Sequence, residues 1–187
     1  MKALVLFLVI SNLVFAAEEK APSLWAHESE AGISLSGGNS DSKTYLAKQT
    51  TSYKPAGNTF NLQGAVFFSE ANGVEVSKNW NLSLRYDRQL FTKHWGFIQL
   101  GTESDPFAGY DNRTNVDLGM KMDLIVGEVN YAFAEVGYRY SNEFRVAGAS
   151  PRTVESHIAR VYAEAQKSLN ENVTAKLWIE EIGRAHV

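Results

Sequence analysis

Apolar and polar side chains alternate with a period of two over most of this chain, which constrains the backbone to extended strands. In the clearest window, residues 112–123, Val116 and Leu118 fall on one face while Asp117 and Lys121 fall on the other. Successive side chains of a strand point to opposite faces of its sheet, whereas a helix repeats every 3.6 residues. The same alternation marks two further windows, 60–69 and 76–87. An all-β fold is therefore predicted.

The strand-like runs number about nine from Trp25 onward, and several reach the roughly 9–11 residues that a tilted membrane-spanning strand needs. The run Val154–Gln166 could also be a short helix, but Ala159, Val161 and Ala163 alternate there, so a strand is favoured. We expect these strands to form one antiparallel sheet. Besides the three windows above, the runs are Trp25–Leu35, Thr44–Tyr53, Trp95–Thr102, Tyr131–Tyr140, Val154–Gln166 and Val173–Ile179.

Ionic side chains gather on the face opposite the apolar one. Arg85 and Arg113 alternate onto the same side as Asp117 and Glu135. Burying such charges unpaired in a dry core would be very costly. The wet lumen of a transmembrane β-barrel accepts them, and a sheet whose polar face meets solvent, as in a sandwich, is the alternative. The predicted lumen-facing residues are Arg85, Asp87, Arg113, Asp117, Lys121, Glu135 and Arg139.

The connections between the strands alternate in character. One set is long and rich in glycine, serine and acidic residues, and the other set is shorter. Outer-membrane barrels have long loops outside and tight turns on the periplasmic side. The predicted long set is Ser36–Ser42, Ser69–Glu75, Glu103–Asp111 and Ser141–Thr153, and the short set is Lys54–Asn58, Gln89–His94, Ile125–Asn130 and Ser168–Asn172.

Aromatic residues cluster beside the short connections. Trp and Tyr favour a membrane interface because the ring is apolar while its N–H or O–H group bonds to water. An aromatic girdle is the favoured interpretation, and the core of an ordinary sandwich, which also contains aromatic residues, is the alternative. The predicted girdle residues are Tyr53, Phe60, Tyr86, Trp95 and Tyr131.

Both ends of the chain differ from the strand-rich segment between them. Lys2, the apolar run Ala3–Phe15 and the small Ala16 predict a cleaved secretory signal peptide over residues 1–16. The segment Glu181–Val187 looks like a sequencing adapter translated in frame, so it is interpreted as adapter read-through, and a short basic tail of natural origin is the alternative. The barrel domain is accordingly predicted over residues 17–180, truncated at its C-terminus.

Composition argues against several classes of function. The net charge of −3 and the absence of a basic stripe predict no nucleic-acid partner. The chain has no cysteine and its histidines are scattered, so we expect no metal site and no cofactor. The nearest Ser–His pair, Ser156 and His157, is adjacent on a strand and would point to opposite faces. We therefore predict that the protein is not an enzyme.

Three segments resemble a known family in their order and spacing. They are Ser36–Thr44, with its glycine–asparagine loop, Pro106–Arg113 before an alternating strand, and Tyr131–Arg139. With them the chain resembles the salt-induced outer-membrane proteins, domain-of-unknown-function family 481, over nearly all of Trp25–Ile179. The resemblance implies a β-barrel in the outer membrane of a Gram-negative bacterium and carries over no catalytic residue. The chain departs from outer-membrane barrels in lacking the final strands and the terminal aromatic residue that the assembly machinery recognises.

The expected function is that of a non-enzymatic outer-membrane β-barrel with a structural, narrow-channel or loop-binding role. Its partners would be outer-membrane lipid and the outer-membrane assembly machinery, and the small solute, if any, is not identified by the sequence. Because single-chain bacterial barrels have even strand numbers, roughly ten or twelve strands are expected in the natural protein. The alternatives are a secreted soluble β-barrel or sandwich that binds a lipid or sugar, and a lipid-modifying barrel enzyme.

Overall fold

The chain folds into a single antiparallel sheet in which every strand pairs with its neighbours in sequence. The computed structural model describes residues 5–9, 23–38, 41–127, 129–170 and 173–185. In these ranges the one helical segment is a 3-10 turn at Pro106–Ala108. The strands are β1 (Val5–Val9), β2 (Trp25–Ser36), β3 (Ser42–Tyr53), β4 (Asn58–Ala71), β5 (Val74–Phe91), β6 (His94–Asp105), β7 (Tyr110–Ile125), β8 (Tyr131–Arg145), β9 (Thr153–Asn170) and β10 (Val173–Ala185).

The predicted all-β, antiparallel fold is confirmed, with nine strands from Trp25 onward. The run Val154–Gln166, for which a helix was the alternative, lies within β9. Among the described residues, no helix is long and apolar enough to cross a membrane.

The sheet is open. β10 pairs with β9, and within the described part of the chain no strand pairs with the other edge of β10. The edge of the sheet beside Val173–Ile179 is therefore unpaired, as the predicted truncation of the barrel implies, and the described strands form a curved open sheet.

The two terminal segments are described only in part. Of the predicted signal peptide, only Val5–Val9 is described, as a strand paired with residues 32–36, and the rest lies outside the described residues. The backbone of β10 continues through Ala185, so its pairing with β9 includes most of the segment interpreted as adapter read-through, whereas residues 186–187 lie outside the description. Strand pairing does not test the origin of either segment, and both interpretations stay predictions.

The connections fall at two ends of the sheet, which we call the loop end (β2–β3, β4–β5, β6–β7 and β8–β9) and the turn end (β3–β4, β5–β6, β7–β8 and β9–β10). β4 and β5 meet at Asn72-Gly73, whose φ values of 51° and 79° are those of a type I′ hairpin turn. The long connection predicted over Ser69–Glu75 was therefore wrong, because the flanking residues stay in the strands. The connection predicted over Glu103–Asp111 is likewise shorter, at residues 106–109. The predicted difference in length between the two sets of connections is therefore small.

The alternation predicted from the sequence separates the two faces of the sheet. On the apolar face, Leu118 and Val136 are 62% and 60% exposed, whereas on the opposite face Asp117 and Glu135 are 3% and 6% exposed. Charged residues are almost never fully buried unless they are paired, so the covered carboxylates require cationic partners. The apolar face thus points outward, and the ionic face is the covered one.

The sheet curls toward its ionic face. Arg85 in β5 and Glu135 in β8 lie three strand positions apart, which is about 14 Å on a flat sheet. Their side chains nevertheless meet, with 2.7 Å between Arg85 Nη2 and Glu135 Oε1. The two side chains meet over β6 and β7, so we call the ionic side the concave face.

Phe97 occupies the centre of the concave face and is 4% exposed. It is in register with Gly119 in β7, which is in register with Gly137 in β8. A Cβ atom added to Gly119 would lie 2.6 Å from Phe97 Cζ and 2.5 Å from the Val136 carbonyl oxygen. The glycines therefore provide the space in which the ring packs against the backbone.

We predict that Gly119→Ala destabilises the fold, because the new methyl group would collide with backbone atoms that cannot rotate away. Overpacking of this kind costs about 1–3 kcal/mol. Gly101→Ala is the matched control, since its Cβ would meet nothing closer than 3.9 Å. Urea unfolding of the purified protein, followed by far-ultraviolet circular dichroism, measures both variants. Equal unfolding midpoints for the two would contradict the packing described here.

Candidate functional site: an ion-pair network on the concave face

Arg85 connects two buried carboxylates at the centre of the concave face. Its Nε lies 3.1 and 3.0 Å from the two Asp87 oxygens, and its Nη2 lies 2.8 Å from Asp87 Oδ1 and 2.7 Å from Glu135 Oε1. Arg160 in β9 adds a contact of 3.5 Å to Glu135 Oε2. The guanidinium of Arg85 also lies 4.1 Å from the centroid of the Phe97 ring. Every carboxylate oxygen of Asp87 and Glu135 therefore faces a cation.

A second pair lies beside this centre, where Asp117 in β7 and Arg139 in β8 are direct cross-strand partners. Arg139 Nε donates to Asp117 Oδ1 at 2.6 Å, and Arg139 Nη2 donates to Oδ2 at 2.7 Å. Two parallel charge-assisted bonds fix both the distance and the orientation of the groups. Asp117 is thus fully paired although it is almost inaccessible to solvent.

A third cluster lies toward the loop end around Arg113. This residue donates to Glu103 at 3.1 Å and to Glu143 at 2.6 Å, and its guanidinium lies 3.8 Å from the centroid of the Tyr110 ring. Arg145 also pairs with Glu143, at 3.0 Å. Cations and carboxylates thus alternate across neighbouring strands along the concave face.

The structure brings all seven predicted lumen-facing residues onto the concave face. Lys121 is the most loosely paired of them, with 3.4 Å between its Nζ and Asp123 Oδ1. Whether a closed lumen surrounds these residues stays a prediction, because the described sheet is open. The sequence interpretation missed Glu103, Glu143 and Arg160, which complete the network. The alternation could have identified Glu103 and Glu143, because it places both on the same face as Arg113.

An aromatic row crosses the apolar face near the turn end. Ring centroids are separated by 4.4 Å between Trp25 and Tyr53, by 6.2 Å between Tyr53 and Phe60, and by 4.7 Å between Phe60 and Tyr86. Tyr86 also donates its hydroxyl to Asn58 at 2.7 Å. Three of the predicted girdle residues, Tyr53, Phe60 and Tyr86, therefore form a continuous stacked row with Trp25.

Trp95 and Tyr131 do not join this row, so their assignment to a common aromatic girdle was wrong. Trp95 pairs in register with Lys121 on the concave face, and its Nε1 donates to Asp123 at 2.7 Å. Tyr131 donates its hydroxyl to Glu164 at 2.6 Å and stacks on Phe133, also on the concave face. Hydrogen bonds to carboxylates hold both polar tips on the ionic side.

A second group of aromatic residues, not predicted from the sequence, lies on the apolar face nearer the loop end. Tyr45 and Phe68 have ring centroids 6.1 Å apart, and Tyr140 lies 5.6 Å from the His157 ring. His157 Nδ1 and the Tyr138 hydroxyl form a hydrogen bond. Along β4, Phe68 is eight residues from Phe60, a distance of about 26 Å at the usual rise per residue.

The apolar face carries a small group of hydrogen-bonded polar side chains on β2 and β3. His27 Nδ1 lies 3.1 Å from Thr51 Oγ1, and the Ser29 hydroxyl donates to Gln49. Gln49 Nε2 donates to Thr51 Oγ1 at 3.2 Å. These side chains bond to one another, and the larger aliphatic area of the face lies on β4–β9.

The described residues show no group of three or more His, Cys, Asp or Glu side chains that could hold a metal ion. Ser156 lies opposite Ser141 on the concave face, whereas the next residue, His157, lies opposite Tyr140 on the apolar face. The two functional groups of this Ser–His pair therefore point away from each other. On the concave face, the carboxylates and the cations neutralise one another.

A scan against family models gives a match over residues 29–180 to the family described as "Protein of unknown function, DUF481". The chain belongs to the DUF481 family. The match covers β3–β9 and most of β2, together with the start of β10. A search of curated proteins finds no match to this DUF481 chain.

We predict that Arg139→Met strongly destabilises this DUF481 protein, because it leaves the Asp117 carboxylate buried without its cation. Removing one partner of a buried pair costs about 3–5 kcal/mol. Lys43→Met is the matched control: its pair with Glu70 is exposed, and such pairs contribute about 0–1 kcal/mol. Urea unfolding measures both variants. Adding Asp117→Asn to Arg139→Met should restore part of the loss, and a double variant no more stable than Arg139→Met would contradict the charge argument.

Proposed function

We propose that this protein is a non-enzymatic β-barrel protein of the outer membrane of a Gram-negative bacterium, exported through a cleaved signal peptide, with a structural role in the envelope. One observation carries the proposal: the burial of the two faces is inverted. Leu82, Leu118 and Val136 are exposed on the apolar face, while Asp87 and Asp117 are covered. A bilayer is the environment in which an outward aliphatic face is favourable.

The aliphatic area is continuous. It extends over neighbouring strands from β4 to β9, and the charged side chains of this face, such as Lys78 and Arg88, lie close to strand ends. Contiguous apolar patches larger than a few hundred Å² are rare on soluble monomers. Its exposed members include Leu62, Val66, Leu82, Leu84, Leu100, Leu118, Val136 and Val161.

The two groups of aromatic residues on the apolar face also support a bilayer environment. Membrane barrels carry an apolar band about 25 Å tall with aromatic residues at both borders. The separation of Phe60 and Phe68 along β4 is about 26 Å before any tilt of the strand is considered. The ring of Tyr86, at the turn-end border, carries a hydroxyl group that donates to Asn58.

The alternative of a secreted soluble protein that binds a lipid or sugar has less support. Such a protein would turn its aliphatic side chains toward an internal ligand cavity. Here the covered interior is ionic, and Phe97 and Tyr110 are its buried aromatic residues among the described residues. A structural role is preferred to a channel because the side chains of β5–β9 fill the concave face with ion pairs.

Membrane fractionation tests the location. We expect the protein to remain in the outer-membrane fraction after washing with urea, and its mobility on a gel to depend on heating. Transmembrane barrels resist urea extraction because hydrogen bonding of all backbone groups within the sheet is obligatory in lipid. Release into the urea wash would support the soluble alternative instead.

A charge on the apolar face should impair insertion. We predict that Leu84→Lys destabilises the protein in lipid bilayers by about 2–4 kcal/mol near the midplane. Ser83→Lys is the matched control, because the neighbouring residue points to the concave face. Leu84 is already 47% exposed, so the same substitution in a water-soluble protein would be nearly neutral. Folding yields into lipid vesicles measure both variants, and equal yields would contradict a lipid-facing β5.

A further inference from the structure

A cavity of about 390 Å³ opens on the concave face toward the turn end. Its floor is formed by the central ion pairs, and two aromatic rings, Trp95 and Phe133, form its walls. Ligand sites commonly combine apolar and aromatic walls with a few placed polar groups, in volumes of about 300–1,000 Å³. The lining residues are Lys54, Thr59, Asn61, Arg85, Asp87, Trp95, Lys121, Phe133 and Glu135.

The two carboxylates on the floor, Asp87 and Glu135, have no oxygen left free to bind a ligand. Both oxygens of Asp87 accept from Arg85, and both oxygens of Glu135 face the guanidinium groups of Arg85 or Arg160. Asp87 and Glu135 are also almost fully covered, at 5% and 6% exposure. The acidic residues of the cavity are therefore neutralised internally, and they cannot attract a cation.

The hydrogen-bonding groups that remain available to a ligand in the cavity are donors. Lys121 has three N–H donors and one ion-pair partner, Asp123, which also accepts from Trp95 Nε1. Lys54 forms no ion pair with any described residue. The Asn61 carbonyl oxygen is occupied by the Ser52 hydroxyl, which leaves the Asn61 amide as a donor. Two ammonium groups and one amide thus border the same space.

The walls favour a flat apolar body. Lys121 Nζ lies 5.3 Å from the Trp95 ring centroid and 5.4 Å from the Phe133 ring centroid, so the ammonium group lies close to both rings. A ring or planar group could pack against them with its anionic end at the ammonium groups. Aromatic rings prefer offset-stacked or edge-to-face contact with one another.

We propose that this cavity binds a small organic anion, a carboxylate attached to a flat apolar body, with Lys54 and Lys121 holding the carboxylate. Trp95 and Phe133 contact the apolar body, and the network of Arg85 keeps the floor neutral. The site belongs to the concave face itself and does not depend on where the protein resides.

Isothermal titration calorimetry of the purified full chain with three probes of one shape tests the chemistry: benzoate, neutral benzamide and cationic benzylamine. We expect saturable binding of benzoate, with benzamide at least about tenfold weaker because it lacks the charge-assisted bonds. No benzylamine binding is expected. Equal affinity for benzoate and benzamide would overturn the anion site, as would no saturable benzoate binding up to about 10 mM.

Variants locate the site. Lys54→Gln should weaken benzoate binding about tenfold, since one charge-assisted contact is lost. Lys93→Gln is the matched control: it removes the same charge from an exposed turn residue at the same end of the sheet, outside the cavity. Its affinity should stay that of the wild type. Equal weakening by both variants would indicate nonspecific attraction and overturn the proposal.

Discussion

The concave face depends on the pairing of Arg85 with two buried carboxylates. An unpaired carboxylate with the low exposure of Asp87 or Glu135 would cost several kcal/mol. The planar guanidinium has five donors in a fixed fork, so it can satisfy one carboxylate through Nε and a second through its terminal nitrogens. A lysine at this position would present a point charge to both. The contact between β5 and β8 is therefore specific to arginine.

The contact between Arg85 and Glu135 requires space on the concave face of β7 and β8. Gly119 and Gly137 leave space above β7 and β8, and the Phe97 ring fills it. Aromatic rings placed over strand glycines recover packing that the missing side chains would lose. The ring in turn supports the Arg85 guanidinium by a cation–π contact. Hydrophobic and ionic contacts form one layer here. The glycines leave room for the Phe97 ring, and the ring positions the Arg85 guanidinium.

The sequence predicted the strands from Trp25 onward, their faces and seven of the ionic residues of the concave face, because a strict period of two assigns a face without knowledge of the partner. The assignment of residues to faces failed where a strand carries apolar residues on both faces, because polarity then does not distinguish the two faces. Trp95 and Phe97 are both apolar and lie on the ionic side, and their partners, Asp123 and Arg85, become visible only through register. The long β4–β5 loop was a different error, since Asn72-Gly73 carries the usual signal of a two-residue hairpin turn.

The same network determines the character of the two surfaces that remain accessible. Arg85 and Arg160 pair with the carboxylates of Asp87 and Glu135, which leaves lysines as the charges of the turn-end cavity that can bind a ligand. By turning every central charge inward, the alternation leaves the opposite face of β4–β9 aliphatic. The small polar area of β2 and β3 fits this division, because His27, Ser29, Gln49 and Thr51 bond to one another. Internal satisfaction of polar groups is the condition that an apolar environment imposes.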